Sequence, residues 1–363
     1  MPNNPAETPE STKPAKIGVS DDFPAEKLDR LVSVAPMMDW TDRHCRYFLR
    51  GFSPRVLLYT EMITAAALVH GDRARLLRYS EEERPLALQL GGSDPELLAA
   101  AARFGAERGY DEINLNCGCP SDRVQAGAFG ACLLLEPKRV ASAVAAMRAA
   151  VDLPVTVKMR IGVLPAAGHG ARLAAFDERD YDELRRFTAA VSDAGCRHFI
   201  VHARQAVLGG LSPRENREVP PLRYEVVRRL KRDFPHLWIG VNGGLRDAAQ
   251  CRAALEWADG VMLGREAYHR PQVLAELHAA LFGDGRHVAD AVAGLERMAL
   301  YAEREVALGT PLRAITRHLL GLAAGRSGAR RFRQVLCQAE SVTQLRHEAA
   351  AYCGVWRPAG PRV

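Results

Sequence analysis

Eight short apolar runs rich in Val, Ile and Leu follow one another between residues 31 and 263, and this rhythm limits the fold more than any other feature. They are Leu31–Met37, Val56–Met62, Leu86–Leu90, Glu112–Asn116, Val155–Arg160, His198–His202, Trp238–Asn242 and Gly260–Leu263. Near-continuous apolar runs suit strands buried on both faces, as in a parallel sheet. Helical patterns separate most of them. Pro95–Arg108 has Ser93 and Asp94 before it as capping candidates, and Pro137–Ala150 and Pro221–Asp233 are amphipathic. Asp180–Ala194 closes at Gly195, a natural helix stop. Eight β/α repeats predict an α/β chain folded as a (β/α)8 TIM barrel. An open doubly wound sheet is the alternative, and the unbroken rhythm favours closure.

The barrel is expected over residues 28–271. Residues 1–27 carry no apolar period and are expected to be a disordered tail. After residue 272 no β-run appears. Val273–Leu281, Val288–Ala307, Pro311–Ala323 and Arg330–Ala350 predict a smaller all-helical domain over 272–363. Its charge is uneven: Arg313, Arg317, Arg326, Arg330, Arg331 and Arg333 fall within 21 residues that hold no Asp or Glu. On charge alone this suits a solvated face and a polyanion-binding face equally.

Composition removes several classes. No apolar run approaches ~18 residues, so no membrane helix is expected. No basic segment followed by an apolar stretch marks a secretory signal. Eight cysteines in 363 residues do not make a disulfide framework, and a reduced, cytoplasmic setting fits better. A net charge of +6 permits a polyanionic partner without requiring one.

In a barrel of this kind chemistry gathers at the C-terminal strand ends. Those ends carry Ala35-Pro36-Met37, Glu61-Met62, Gln89, Asn116 through Ser121, Lys158 with Arg160, His202 to Arg204, Asn242-Gly243-Gly244 and Gly264-Arg265. Gly243-Gly244 and Gly264-Arg265 offer bare backbone amides and a guanidinium where such barrels often hold a phosphate. Tight βα turns would also use those glycines. Gln89, Lys158 and His202 offer donors to a planar heterocycle. A lysine inside a buried strand is costly unless paired or facing a polar cavity. Lys158 is one of only six lysines beside 43 arginines. Near a flavin ring its ammonium would stabilise negative charge on the reduced form.

Cys117 and Cys119 do not suggest metal, because no second cysteine pair or paired histidines stand at ligand spacing. Cys119, between Gly118 and Pro120, sits on a shaped loop from which a thiol can act as general acid. Cys117 adds a second thiol with no assigned role. Cys45, Cys132, Cys196, Cys251, Cys337 and Cys353 are expected to be small packing residues.

The segments APMMDWTDRHCRYF (Ala35–Phe48), LQLGG (Leu88–Gly92) and NLNCGCPSDRVQ followed by GAFGACLL (Asn114–Leu134) together resemble the tRNA-dihydrouridine synthases. So do KMRIG (Lys158–Gly162), HAR (His202–Arg204), LSPRENREVPPL (Leu211–Leu222), NGG (Asn242–Gly244) and GREAY (Gly264–Tyr268). SPRENR before PPLRY, and GARRFR further on, resemble the bacterial A subfamily. The resemblance implies an FMN-bound barrel, NADPH as reductant, and a helical tRNA-binding domain. It implies hydride delivery to C6 of D-loop uridines at positions 20 and 20a, with C5 protonated by a cysteine that matches Cys119. FMN contacts fall on Ala35, Pro36, Met37, Gln89, Lys158, His202, Asn242, Gly243, Gly244, Gly264 and Arg265. The tRNA-reading positions match Asn116, Arg214, Arg217, Arg330 and Arg333. A monomer without membrane association or metal is expected.

Leu164–Phe176 is longer than this pattern leads one to expect, and suggests a flexible insertion near the mouth. A relative acting on a free pyrimidine or another small molecule is the competing enzyme, but it would need no basic helical domain. A tRNA-binding protein without catalysis is a third reading, against which Cys119 and Lys158 both argue.

Overall fold

Successive side chains on a strand point to opposite faces, and here the two faces differ in chemistry. The computed structural model describes residues 28–121, 124, 127–165, 173, 175–283 and 288–347; the tail expected over 1–27 lies outside them. Its strands are β1 (Val32–Val34), β2 (Leu58–Tyr59), β3 (Ile63–Thr64), β4 (Leu86–Gly91), β5 (Glu112–Cys117), β6 (Val155–Arg160), β7 (Val163–Pro165), β8 (His198–His202), β9 (Ala206–Leu208), β10 (Trp238–Asn242) and β11 (Gly260–Leu263). The main sheet runs β1-β11-β10-β8-β6-β5-β4-β2, with β3 beside β4, and its strand pairs are parallel. A bridge between Ser33 and Leu57 joins β1 to β2. Val34 N–H donates to Leu57 O and Leu57 N–H to Val32 O, both at 3.0 Å. The sheet is thereby closed into the expected barrel.

Outward-facing Ile113, Leu115, Cys117, Val155, Val157 and Met159 pack in one large core with the helices. Helix Pro95–Arg108 contributes Leu98 and Ala102, and helix Pro137–Ala150 contributes Val140, Val144 and Met147. Asp94 caps the first of these through the Glu96 and Leu97 amides. The inward face is different. A small apolar cluster of Ala35, Leu57, Tyr59, Ala87, Ile200 and Met262 shares the lumen with a column of polar side chains. Near the barrel floor the Trp238 ring lies across Gly240 and Gly260, where any Cβ would stand within 2.6 Å of it.

Several expected elements are shorter. The run Val56–Met62 pairs with β4 only at Leu58–Tyr59, because at Thr60 the side-chain hydroxyl accepts the Gln89 amide in place of a main-chain carbonyl. Helix Pro221–Asp233 begins at Tyr224, since the Arg223 amide is tied to Ala203 O. Expected helix Pro311–Ala323 tightens into a 3-10 turn from Arg317, where Gly321 lies against the carbonyls of Tyr268 and His269. Expected helix Arg330–Ala350 stops at Gln338. Ala339 leaves helical backbone with a ψ of 120°, and the chain is helical again over 342–347, where Ser341 Oγ accepts the Gln344 amide.

The first residues of the expected insertion form β7, which pairs in parallel with β9; Leu164 and Leu173 pack with Val207 and Leu211. Residues 166–172 and 174 lie outside the described set. From Gln272 onward the described elements are helical. Val273, Leu277, Leu295, Met298, Leu319 and Phe332 join the same core as the barrel's outer face. Polar ties reinforce this seam. Arg43 meets Glu305 at 2.5 Å, His44 Nδ1 meets Tyr301 OH at 2.8 Å, and Asp42 meets both Arg317 and His318. The Asp42 carboxyl is held well below the usual range by those partners and by the Cys45 amide, which together outweigh its burial. No described helix is long and apolar enough to cross a membrane.

Candidate active site at the barrel mouth

Strand register brings the polar strand ends together. Gln89 stands beside Asn114, Asn114 beside Thr156, and Asn116 beside Lys158. Arg160 stands beside His202, and His202 beside Asn242. Because side chains alternate, these residues share the inner face, and their upper members line one mouth. A continuous hydrogen-bonded column links floor to mouth. Glu112 accepts from Arg30 Nε, Tyr59 OH and Thr156 Oγ1, each at 2.7 Å. Asn114 donates to Thr156 Oγ1 at 2.8 Å and accepts from Gln89 Nε2 at 2.7 Å. Asn116 donates to Gln89 Oε1 at 2.8 Å. Its own Oδ1 accepts the amides of Gly118 and Cys119, both at 3.0 Å. The carboxylate, hydroxyl and amide groups of the column are all paired, as a buried polar network requires, while Arg30 Nη2 at the floor has no hydrogen-bond partner among the described residues.

This column is what the reading of strand ends missed. Glu112, Asn114 and Thr156 lie below the mouth, where apolar filling is usual. The signal was present: Glu112-Ile-Asn-Leu-Asn116 and Thr156-Val-Lys-Met-Arg160 alternate polar and apolar with period two. These two strands are half polar, and not continuously apolar as expected.

Cys119 is half-buried on the loop after β5, with Sγ 3.5 Å from Ser121 Oγ. Cys117 faces away into the helical layer, and burial pushes its thiol up. The two thiols therefore do not share the mouth. Lys158 Nζ donates to Asn242 Oδ1 at 3.3 Å, and Asn242 Nδ2 donates to Met262 O at 2.7 Å. Burial, with Arg160 beside it, brings the Lys158 amine down to about 8. Burial and the neighbouring Arg160 and Lys158 hold His202 well below its usual value, so it is neutral at pH 7. Arg160 is pushed down to about 9 by burial and stays protonated at neutral pH.

After β10, Gly243 and Gly244 have φ of +117° and +72°, backbone that favours glycine. A Cβ there would also strike His202 or Leu222. Tyr224 OH donates to Gly243 O. At Gly264 a Cβ would meet only Ala35 Cβ, at 4.0 Å, so the space there is open. Arg265 is paired with Glu218 at 2.7 Å. Ala35 is buried, while Pro36 and Met37 are half-buried on the loop after β1. At the neighbouring rim, the Glu61 carboxylate accepts the backbone N–H of Asp39, which has a φ of +65°; burial pushes Glu61 up.

The residues expected to read tRNA fall in two places. Asn116, Arg214 and Arg217 are at or beside the mouth, with Arg214 exposed and Arg217 half-buried. Arg330 and Arg333 are exposed on helix Ala329–Gln338, three residues apart, while Phe332, Val335 and Leu336 bury its other side. Arg317 does not stand free among the basic residues, since it is paired with Asp42 at 2.6 Å. Of the cysteines expected to pack, Cys45, Cys196 and Cys251 are buried, Cys132 is half-buried and Cys337 is exposed; Cys353 lies outside the described residues. Among the described residues no cluster of three or more His, Cys, Asp or Glu could hold a metal ion.

A family model described as "Dihydrouridine synthase (Dus)" matches residues 33–353. The chain is 52% identical over 352 residues to the tRNA-dihydrouridine(20/20a) synthase of Pseudomonas syringae pv. tomato, covering 96% of this chain and 97% of that protein. It is 56% identical over 310 residues to the protein of that name in Pseudomonas aeruginosa, covering 85% and 90%. For the Escherichia coli K12 protein of that name the identity is 54% over 307 residues, covering 84% and 85%.

Proposed function

Because this chain belongs to the dihydrouridine synthase family, we propose that its barrel mouth reduces uridines 20 and 20a of tRNA to 5,6-dihydrouridine, using FMN, NADPH and the thiol of Cys119. Reduction of tRNA uridine follows from the relatives; the cofactor, the positions and the residue roles are our reading. The observation that carries it is the convergence on one mouth of Cys119, Lys158, His202, Asn242 and the Gly243-Gly244 turn.

The residues present fit FMN. Gly243 and Gly244 keep side chains away from their amides, Gly264 faces open space, and Arg265 adds a guanidinium; together they suit a phosphate. Gln89, Lys158 and neutral His202 suit the polar edge of a flat heterocycle, with Ala35, Pro36, Met37 and Asn242 completing the walls. FMN, when bound, supplies the hydride that it takes from NADPH. Uracil is a conjugated enone, so hydride addition at C6 leaves C5 in need of a proton. Cys119 Sγ–H donates it, and no metal is required. Lys158 as ammonium holds negative charge in the pocket; Asn242 aims its Nζ. Asn116 fixes the Cys119 backbone, so the thiol does not wander. The target base must leave its stack to reach this depth.

The barrel over 28–271 and the helical domain over 272–363 divide this work. Arg214 and Arg217 meet the tRNA at the mouth, and Arg330 and Arg333 supply phosphate contacts further out. A monomer in the cytoplasm suffices.

The test is a visible spectrum of the purified protein, followed by incubation with NADPH and unmodified tRNA and mass-spectrometric mapping of dihydrouridine. A flavin spectrum with product at positions 20 and 20a is expected. Product elsewhere in the D-loop would overturn the arginine assignments. NADPH oxidation without dihydrouridine would indicate a small-molecule reductase. A protein that takes up no flavin would overturn the cofactor reading.

A further inference from the structure

Arg160 ends β6 on the inner face, and it is only 3% exposed. Its guanidinium donates to three main-chain carbonyls from three separate segments. Nε reaches Gly118 O at 3.0 Å, and Nη1 reaches Gln205 O and Asn216 O, both at 2.9 Å. The acceptors are neutral carbonyls, so what the contacts fix is backbone position. Each segment carries something of consequence. Gly118 directly precedes Cys119, and the N–H of that same peptide, on Cys119, donates to Asn116 Oδ1 at 3.0 Å. Gln205 leads into β9. Asn216 directly precedes Arg217 and stands two residues after Arg214.

Asn216 is itself fully buried and ties up its loop. Its Oδ1 accepts Val207 N–H at 2.8 Å, and its Nδ2 donates to Val207 O and Leu211 O, both at 3.1 Å. One guanidinium therefore joins the loop that bears the thiol to the loop that bears two exposed or half-exposed arginines. A planar fork with several donors can span such points; a lysine head is a single point and cannot.

We propose that Arg160 is a positioning residue that sets the distance between the Cys119 thiol and the tRNA-reading loop at Arg214–Arg217. It touches neither cofactor nor base in this role. It makes proton delivery depend on a uridine presented by that loop. The inference rests on the reading of Cys119 as proton donor and of Arg217 as a tRNA contact.

The test uses the holoenzyme of Arg160→Lys, which keeps the charge and loses the fork. Two rates are followed by flavin absorbance: reduction by NADPH, and reoxidation by unmodified tRNA. The variant is expected to keep flavin content, the NADPH rate and tRNA affinity close to wild type. Reoxidation by tRNA is expected to slow by about 10²-fold, the cost a ~1 Å misplacement of a reacting group carries. Independently of substrate, iodoacetamide alkylation of Cys119, read by peptide mass spectrometry, is expected to speed up several-fold as the Gly118 peptide loosens. Reoxidation and alkylation both at wild-type rates would overturn the proposal. Wild-type holoenzyme that tRNA fails to reoxidise would overturn the functional reading instead. Should Arg160→Lys not fold, Asn216→Ala releases only the arginine loop. It is expected to slow reoxidation with Cys119 alkylation unchanged, and wild-type reoxidation in that variant would refute the coupling.

Discussion

Glu112→Gln isolates the floor of the polar column from its mouth. The carboxylate is fully buried and takes three hydrogen bonds at 2.7 Å. Oε1 serves Tyr59 and Thr156, and Oε2 serves Arg30. A glutamine can keep its oxygen for the two hydroxyls. Its NH2 must then face Arg30 Nε, donor against donor. Among the described residues the guanidinium, with Arg30 6% exposed, would retain only the Leu28 carbonyl at 3.4 Å. Removing one partner of a buried ion pair typically costs about 3–5 kcal/mol. The expected loss is of that size, seen in urea unfolding by circular dichroism, with Tm lower by roughly 4–7 °C for a chain this long. Arg30→Met in the same chain removes the stranded charge and is expected to restore most of the loss. Because Thr156, Asn114, Gln89 and Asn116 keep their partners, turnover per folded molecule stays near wild type. A loss under about 1 kcal/mol, or additive costs for the two substitutions, would refute this reasoning.

Other expectations concern the mouth and the helical surface. The Lys158 amine, brought down to about 8 by burial, is ammonium below that pH and neutral above it. Turnover is therefore expected to fall as pH rises through about 8, and Lys158→Met to lower the rate and remove that limb; a wild-type profile flat across this range would contradict the role. Arg330→Ala with Arg333→Ala is expected to weaken tRNA binding and make it less sensitive to salt, by a slope change of about 1–2. An unchanged salt slope would place the tRNA elsewhere.

Much of this fold was legible because β/α rhythm is a local signal. The helices Pro95–Arg108 and Pro137–Ala150 have the bounds their sequence suggests, set by Pro at the first turn and by Gly109 or Val151 beyond the last. The strand ends were legible because glycine, lysine and histidine are conspicuous among apolar runs. What escaped depends on distant partners. Asp42 and His318 are separated by 276 positions, and nothing near either announces the other. Arg317 reads as one more basic residue until Asp42 is found beside it. Thr60 interrupts its strand because its hydroxyl happens to face the Gln89 amide. Arg160 was visible as an inward charge, but the three carbonyls that give it a task come from residues 118, 205 and 216. The polar column was legible in principle, through the period-two alternation of Glu112–Asn116.

The most direct measurement is a single-turnover comparison of wild type with Cys119→Ala. Each holoenzyme would be reduced with NADPH and mixed with unmodified tRNA, with dihydrouridine quantified over time. Wild type is expected to form product at positions 20 and 20a. Cys119→Ala is expected to keep its flavin and its tRNA affinity yet lose about 10²–10⁴-fold in rate, the usual contribution of a general acid. Product formation at the wild-type rate in Cys119→Ala would contradict the assignment of that thiol as the proton donor.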